Sequence, residues 1–123
     1  MDKSKINEVI ETGKLIWEKN LSGGMSGNIS VRVDKNSVFI TGRGTCLGML
    51  EEKDVCLMDL EGSPCDKNSQ LPSSEKLFHI SVYKNLDAKA VVHVHPTWTN
   101  GYFSVNEKIE FDTFETRLTF GDV

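Results

Sequence analysis

Apolar residues at Ile6, Val9, Ile10, Gly13, Ile16 and Trp17 recur at helical spacing, while Lys5, Glu8, Glu11, Lys14 and Glu18 fill much of the other side. The pattern predicts an amphipathic packing helix over residues 4–19, capped by Ser4 or Asp2. Gly13 sits on the apolar stripe, where it allows close packing at some helical cost. The period then changes. Ile29-Ser30-Val31-Arg32-Val33 alternates apolar and polar, which predicts a half-buried strand. Asp34-Lys35-Asn36-Ser37 reads as a turn, and Val38-Phe39-Ile40 as the return strand of a β-hairpin. Val55 to Asp59 predicts a third strand, closed by a turn at Glu61-Gly62.

Two later segments complete the pattern. Pro72-Ser73-Ser74-Glu75 opens a second helix, with Ser73 as N-cap, Glu75 in the first turn, and Leu77, Phe78, Ile80 and Val82 as the apolar surface. Small and β-branched residues from Ala88 to Val94 predict a strand covered on both faces. It ends in His93-Val94-His95-Pro96, and the proline suits the start of a third helix over Thr97 to Val105. Residues 106–123 are ambiguous, with Ile109, Phe111 and Phe114 suggesting a short strand or a loop packed on the core.

Chemistry enters where these elements end. Alternate residues of a strand share a face, so His93 and His95 point the same way and, at roughly 6–7 Å between Cα atoms, can reach one ion. Ser22 to Ser30 carries three glycines and is a loop; it can line an anion site or serve as a plain glycine-rich connection. Thr41-Gly42-Arg43-Gly44-Thr45 is a second glycine loop at a strand end, where Arg43 is either a solvated charge or an anion clamp. The start of the second helix is either a simple cap or a further set of anion donors. His79, one turn past Glu75, reads as structural and not as a ligand.

Composition narrows the choice. The 123 residues suffice for one domain, and 38% hydrophobic with 26% charged residues is ordinary for a globular protein. The net charge of −4 gives no basic footprint for nucleic acid. No apolar run is long enough to span a bilayer, and the N-terminus carries no apolar signal core, so a cytoplasmic location is expected. Cys46, Cys56 and Cys65 have no metal or disulfide spacing and are expected as reduced thiols, with Cys56 in the core.

Four stretches, taken in order, carry a resemblance: Ser26-Gly27-Asn28-Ile29-Ser30-Val31-Arg32, Ile40-Thr41-Gly42-Arg43-Gly44, Leu71-Pro72-Ser73-Ser74-Glu75, and Val91-Val92-His93-Val94-His95-Pro96. The sequence resembles the class II aldolase/adducin family. The resemblance implies a single domain over residues 1–123, a three-layer α/β/α sandwich around a mainly antiparallel sheet, and a chain holding the N-terminal part of the family domain, truncated at its C-terminus. It implies a metal-dependent sugar-phosphate aldolase that cleaves a ketose phosphate to a three-carbon ketone phosphate and an aldehyde. A sugar-phosphate epimerase or dehydratase, or a non-catalytic module of the same fold, are the alternatives.

The resemblance also assigns residues. His93 and His95 match ligands of a divalent metal, usually zinc. Glu75 matches the acid/base carboxylate. Gly27, Asn28, Ser73 and Ser74 match positions that bind the substrate phosphate, with Thr41 and Gly44 in the loop that completes the pocket. The family's third histidine ligand lies well downstream, and its acid tyrosine comes from the region that holds Phe111 and Phe114 here. Arg43 stands where a small hydroxyl residue is frequent. A homo-oligomer, a tetramer by resemblance, is expected.

Overall fold

The computed structural model describes residues 2–66 and 69–108. Its elements in order are helix α1 (Lys3–Glu18), strands β1 (Asn28–Arg32), β2 (Ser37–Thr41) and β3 (Val55–Asp59), helix α2 (Lys76–Asn85), strand β4 (Ala90–His93) and helix α3 (Thr97–Phe103). The four strands form one antiparallel sheet in the order β3-β2-β1-β4. Each sheet face carries a helix. On one, Ile6, Val9 and Ile16 of α1 pack with Ile29, Phe39 and Val55. On the other, Ile80 and Tyr83 of α2 pack with Val38, Ile40, Cys56, Met58 and Val91. The architecture is therefore the α/β/α sandwich that the family resemblance implied. Burying each such aliphatic side chain contributes about 1.5–3 kcal/mol before entropy is charged against it.

Local chemistry sets the boundaries. Helix α1 ends where Asn20 turns left-handed at φ 55°. Asn20 N–H donates to Trp17 O and Leu21 N–H to Ile16 O, both at 3.0 Å, which satisfies two terminal carbonyls. Gly13 faces a short 3-10 turn, Leu47–Met49, so closely that a Cβ there would lie 2.5 Å from the Leu47 carbonyl oxygen. The close approach expected of Gly13 is real. Cys46, Cys56 and Cys65 are free, and Cys56 is fully buried.

Four expectations need correction. Strand β4 is the sheet edge among the described residues and is not covered on both faces: Val91 is buried while Val92 is 50% exposed. Leu77 and Phe78 do not supply the inner surface of α2; they are 69% and 52% exposed, and His79, Ile80 and Tyr83 are buried instead. Helix α2 begins at Lys76, with Glu75 as N-cap, and Ser73 organises a turn just before it. The polar face of β1 is not half-exposed, since Asn28 and Ser30 are buried against α2. Alternation marks two faces, but it does not say that the polar one meets water. Helix α3 starts after Pro96, as expected. The segment with Ile109, Phe111 and Phe114 lies outside the described residues. Among the described residues no helix is long and apolar enough to cross a membrane.

Candidate active site

The edge strand delivers two imidazoles. His93 is the last residue of β4 and pairs with Asn28 at the start of β1. The rings of His93 and His95 have centroids 4.8 Å apart, so the shared face expected from strand geometry holds. Two contacts fix this strand end. His95 N–H donates to Ser22 Oγ at 3.3 Å. Gly27, at φ +80°, lets the His93 carbonyl approach; a Cβ on Gly27 would lie 2.9 Å from that oxygen.

Helix α2 delivers the carboxylate. Oε2 of Glu75 lies 3.1 Å from Nδ1 of His93. That nitrogen is buried, and the contact lacks hydrogen-bond geometry, so Nδ1 has no hydrogen-bond partner. The ligand atoms of Glu75, His93 and His95 all lie within 4.8 Å of one another. Two imidazoles and a carboxylate are a donor set suited to zinc, and a buried, unpartnered ring nitrogen aimed at it is what a metal ligand needs. The residues present thus fit a divalent cation. The Phe78 ring lies 5.3 Å from that of His93 and forms an apolar wall.

Beneath these groups runs a buried polar series. Asn28 Nδ2 donates to Glu75 Oε2. Asn28 Oδ1 faces His79 Nε2 at 2.5 Å, and His79 Nδ1 faces Ser30 Oγ at 2.6 Å. Ser30 Oγ also meets the Tyr83 hydroxyl at 2.8 Å. The Asn28 bond, before the neighbouring histidines, holds the Glu75 carboxyl below its ordinary range. Burial lowers the pKa of His79 from the usual 6.5 to about 4, so this ring is neutral at physiological pH. Its structural role was anticipated; its link to Glu75 was not.

The glycine loops meet at the same end of the sheet. Gly42 bridges Pro72, Ser73 N–H donates to Thr41 O at 3.0 Å, and Arg43 N–H donates to Leu71 O at 2.8 Å. Thr41 Oγ1 accepts from Ile29 N–H at 3.2 Å, which ties β2 to β1. Ser73 Oγ accepts from Glu75 N–H at 3.2 Å. Gly27, Asn28, Thr41 and Ser73 are thus linked through β1, β2 and the start of α2. Gly44, at φ +74°, and Ser74 are exposed on the adjoining loop and turn. Sequence reasoning missed Ser22, Ser30, Phe78 and Tyr83. Ser30 and Tyr83 are polar residues on the inward faces of their elements, a signal present in the pattern but ambiguous until the faces are known.

The class II aldolase and adducin N-terminal domain matches residues 7–123. This chain belongs to that family. A class II aldolase relative, the L-fuculose phosphate aldolase of Methanococcus maripaludis, is 34% identical over 105 residues, covering 85% of this chain and 56% of its own length. The 3-oxo-tetronate 4-phosphate decarboxylase of Haemophilus influenzae is 36% identical over 91 residues, covering 73% of this chain and 42% of its own. A solved L-fuculose 1-phosphate aldolase superposes with a TM-score of 0.74 at 31% identity, covering 83% of this chain and 49% of that one. The chain therefore spans about half the length of the relatives it matches.

Proposed function

We propose that this chain forms the N-terminal domain of a divalent-metal-dependent sugar-phosphate aldolase, with zinc as the ion. The observation that carries the proposal is the convergence of Glu75, His93 and His95 at the sheet end where two glycine loops and the start of α2 meet. His93 and His95 would hold the ion. When bound, it would stabilise negative charge developing on adjacent substrate oxygens. Gly27, Asn28, Ser73 and Ser74, with Thr41 and Gly44 behind them, supply backbone and side-chain donors for a phosphate ester. Thr41 contributes by holding the loops together, since its own hydroxyl is buried.

In the cleavage direction the hydroxyl on the carbon that becomes the aldehyde gives up its proton to water, the neighbouring carbon–carbon bond breaks, and an aldehyde and a three-carbon enediolate remain. Glu75, placed beside the imidazoles, takes up a proton from water and passes it to the enediolate carbon, giving the ketone phosphate. The Asn28 bond and the neighbouring histidines favour the ionised form of Glu75, which is the form that takes the proton in the reverse step, proton removal from the ketone phosphate. Assembly into a homo-oligomer in the cytoplasm belongs to the same proposal, and a monomer by sedimentation would count against it.

A second reading is favoured by the decarboxylase relative. Loss of carbon dioxide from a 3-oxo acid phosphate generates the same kind of enolate and would use the same groups. The test incubates the chain and zinc with L-fuculose 1-phosphate and, separately, with 3-oxo-tetronate 4-phosphate. Release of three-carbon ketone phosphate, abolished by chelator, supports the aldolase. Carbon dioxide release supports the decarboxylase, and a folded, zinc-loaded chain inert toward both overturns the catalytic proposal.

A further inference from the structure

The buried polar series has a direction, and one end forces it. A carboxylate oxygen of Glu75 faces Asn28 there, and the Asn28 amide N–H donates to it. Asn28 must therefore present Nδ2 to Oε2, which turns Oδ1 toward His79. Oδ1 also only accepts, so Nε2 of His79 carries the ring proton. The ring is fully buried, contacts no anion directly, and is neutral, so Nδ1 is an acceptor and the Ser30 hydroxyl donates to it. Ser30 has then used its one proton and must accept from the Tyr83 hydroxyl. No step leaves a choice. The order is Tyr83 to Ser30 to His79 to Asn28 to Glu75, across strand β1 and helix α2.

We propose that Tyr83, Ser30 and His79 are positioning residues that lock the Asn28 amide and, through it, turn the Glu75 carboxylate so that Oε2 faces the histidines and Oε1 is left for the reacting proton. This rests on the role given to Glu75 above. Oε2 takes both the Asn28 bond and the approach of His93, whereas Oε1 has no hydrogen bond among the described residues. A flipped Asn28 amide would set its oxygen against the carboxylate and its NH2 against Nε2–H, losing two bonds at once. His79 prevents that flip because its tautomer is fixed from the far side. The series also explains why a strand carries Asn28 and Ser30 on a buried face, which packing alone would fill with apolar residues.

The first experiment records long-range proton–nitrogen correlations from the full chain with 15N-labelled histidines, at pH 7. His79 is expected as the Nε2–H tautomer with Nδ1 unprotonated. An Nδ1–H tautomer, or a doubly protonated ring, would overturn the relay. The second titrates Zn2+ into His79→Gln and His79→Leu. Glutamine can still donate an N–H toward Asn28, and leucine cannot. H79Q is expected to bind within about threefold of the parent, and H79L about tenfold to a hundredfold more weakly, as for other supports of metal-site groups. A folded H79L with parental affinity would overturn the positioning role. Where H79L does not fold, Ser30→Ala replaces it. Mixed His79 tautomers with zinc binding weakened about threefold or more are then expected, and a parental spectrum with parental affinity would refute the proposal. If the parent chain binds no zinc, the metal chemistry proposed above fails, while the His79 tautomer still decides the relay.

Discussion

Replacing Gly27 with alanine should damage stability and the site together, because this glycine holds β4 in place. Three effects compete. At φ +80° a non-glycine residue is strained by about 1–2 kcal/mol. The new Cβ would lie 2.6 Å from Ser22 Oγ and 2.9 Å from the His93 carbonyl oxygen. The serine hydroxyl can rotate away, but the carbonyl belongs to the end of β4 and cannot, so overpacking adds about 1–3 kcal/mol. Against these, alanine restricts the unfolded chain and returns about 0.4–1 kcal/mol. The net loss is about 1–5 kcal/mol, centred on about 3 kcal/mol. In urea, with a slope of about 1.5 kcal/mol/M, that central loss lowers the midpoint by about 2 M. Because the carbonyl that must move belongs to His93, zinc affinity should also fall by about tenfold. Urea denaturation followed by circular dichroism, with a zinc titration of the folded variant, measures both. A variant within about 0.5 kcal/mol of the parent and with unchanged zinc affinity would refute the reasoning.

Three further outcomes follow from the same geometry. Gly13→Ala would gain about 1 kcal/mol in an exposed helix, but here its Cβ meets the Leu47 carbonyl at 2.5 Å, so it should destabilise by about 1–2 kcal/mol in urea denaturation. Arg32 donates Nε to Ala88 O at 3.0 Å and Nη2 to Tyr83 O at 2.9 Å while lying over the Tyr83 ring; Arg32→Ala should cost about 2 kcal/mol by the same assay. His79 has its pKa lowered by burial from 6.5 to about 4, so the unfolded chain binds more protons than the folded one between those values. Its stability is whole above the unfolded value and is lost as pH falls through the folded one, by about 3 kcal/mol in all. Glu75, held low mainly by Asn28, adds loss in the same direction. Urea midpoints between pH 7 and 4.5 should fall less steeply in His79→Gln than in the parent.

The individual elements were readable because they obey simple periods, whereas their three-layer arrangement was expected only from the family resemblance. The 3.6-residue stripe of α1 and the hairpin of β1 and β2 follow directly from where Ile6, Val9, Ile16, Ile29 and Phe39 fall. The pairing of His93 with His95 was readable for the same reason, since two histidines flanking Val94 at a strand end share a face whatever the rest does. What could not be read is which face meets what. Leu77 and Phe78 look like core residues, yet His79 and Tyr83 take the inner positions because Asn28 and Ser30 give them partners across the layer. A polar side chain is buried when another answers it, and one strand viewed alone does not reveal the answer. The same blindness made β4 look central: its apolar run matches a covered strand, but only topology shows that it lies at the edge of the described sheet.

The most direct measurement is zinc content of the purified chain beside His93→Ala and His95→Ala variants. About one ion per chain, lost in each variant with the circular dichroism spectrum unchanged, is the predicted result. A folded parent chain without zinc affinity, or full zinc occupancy in either folded variant, would contradict it.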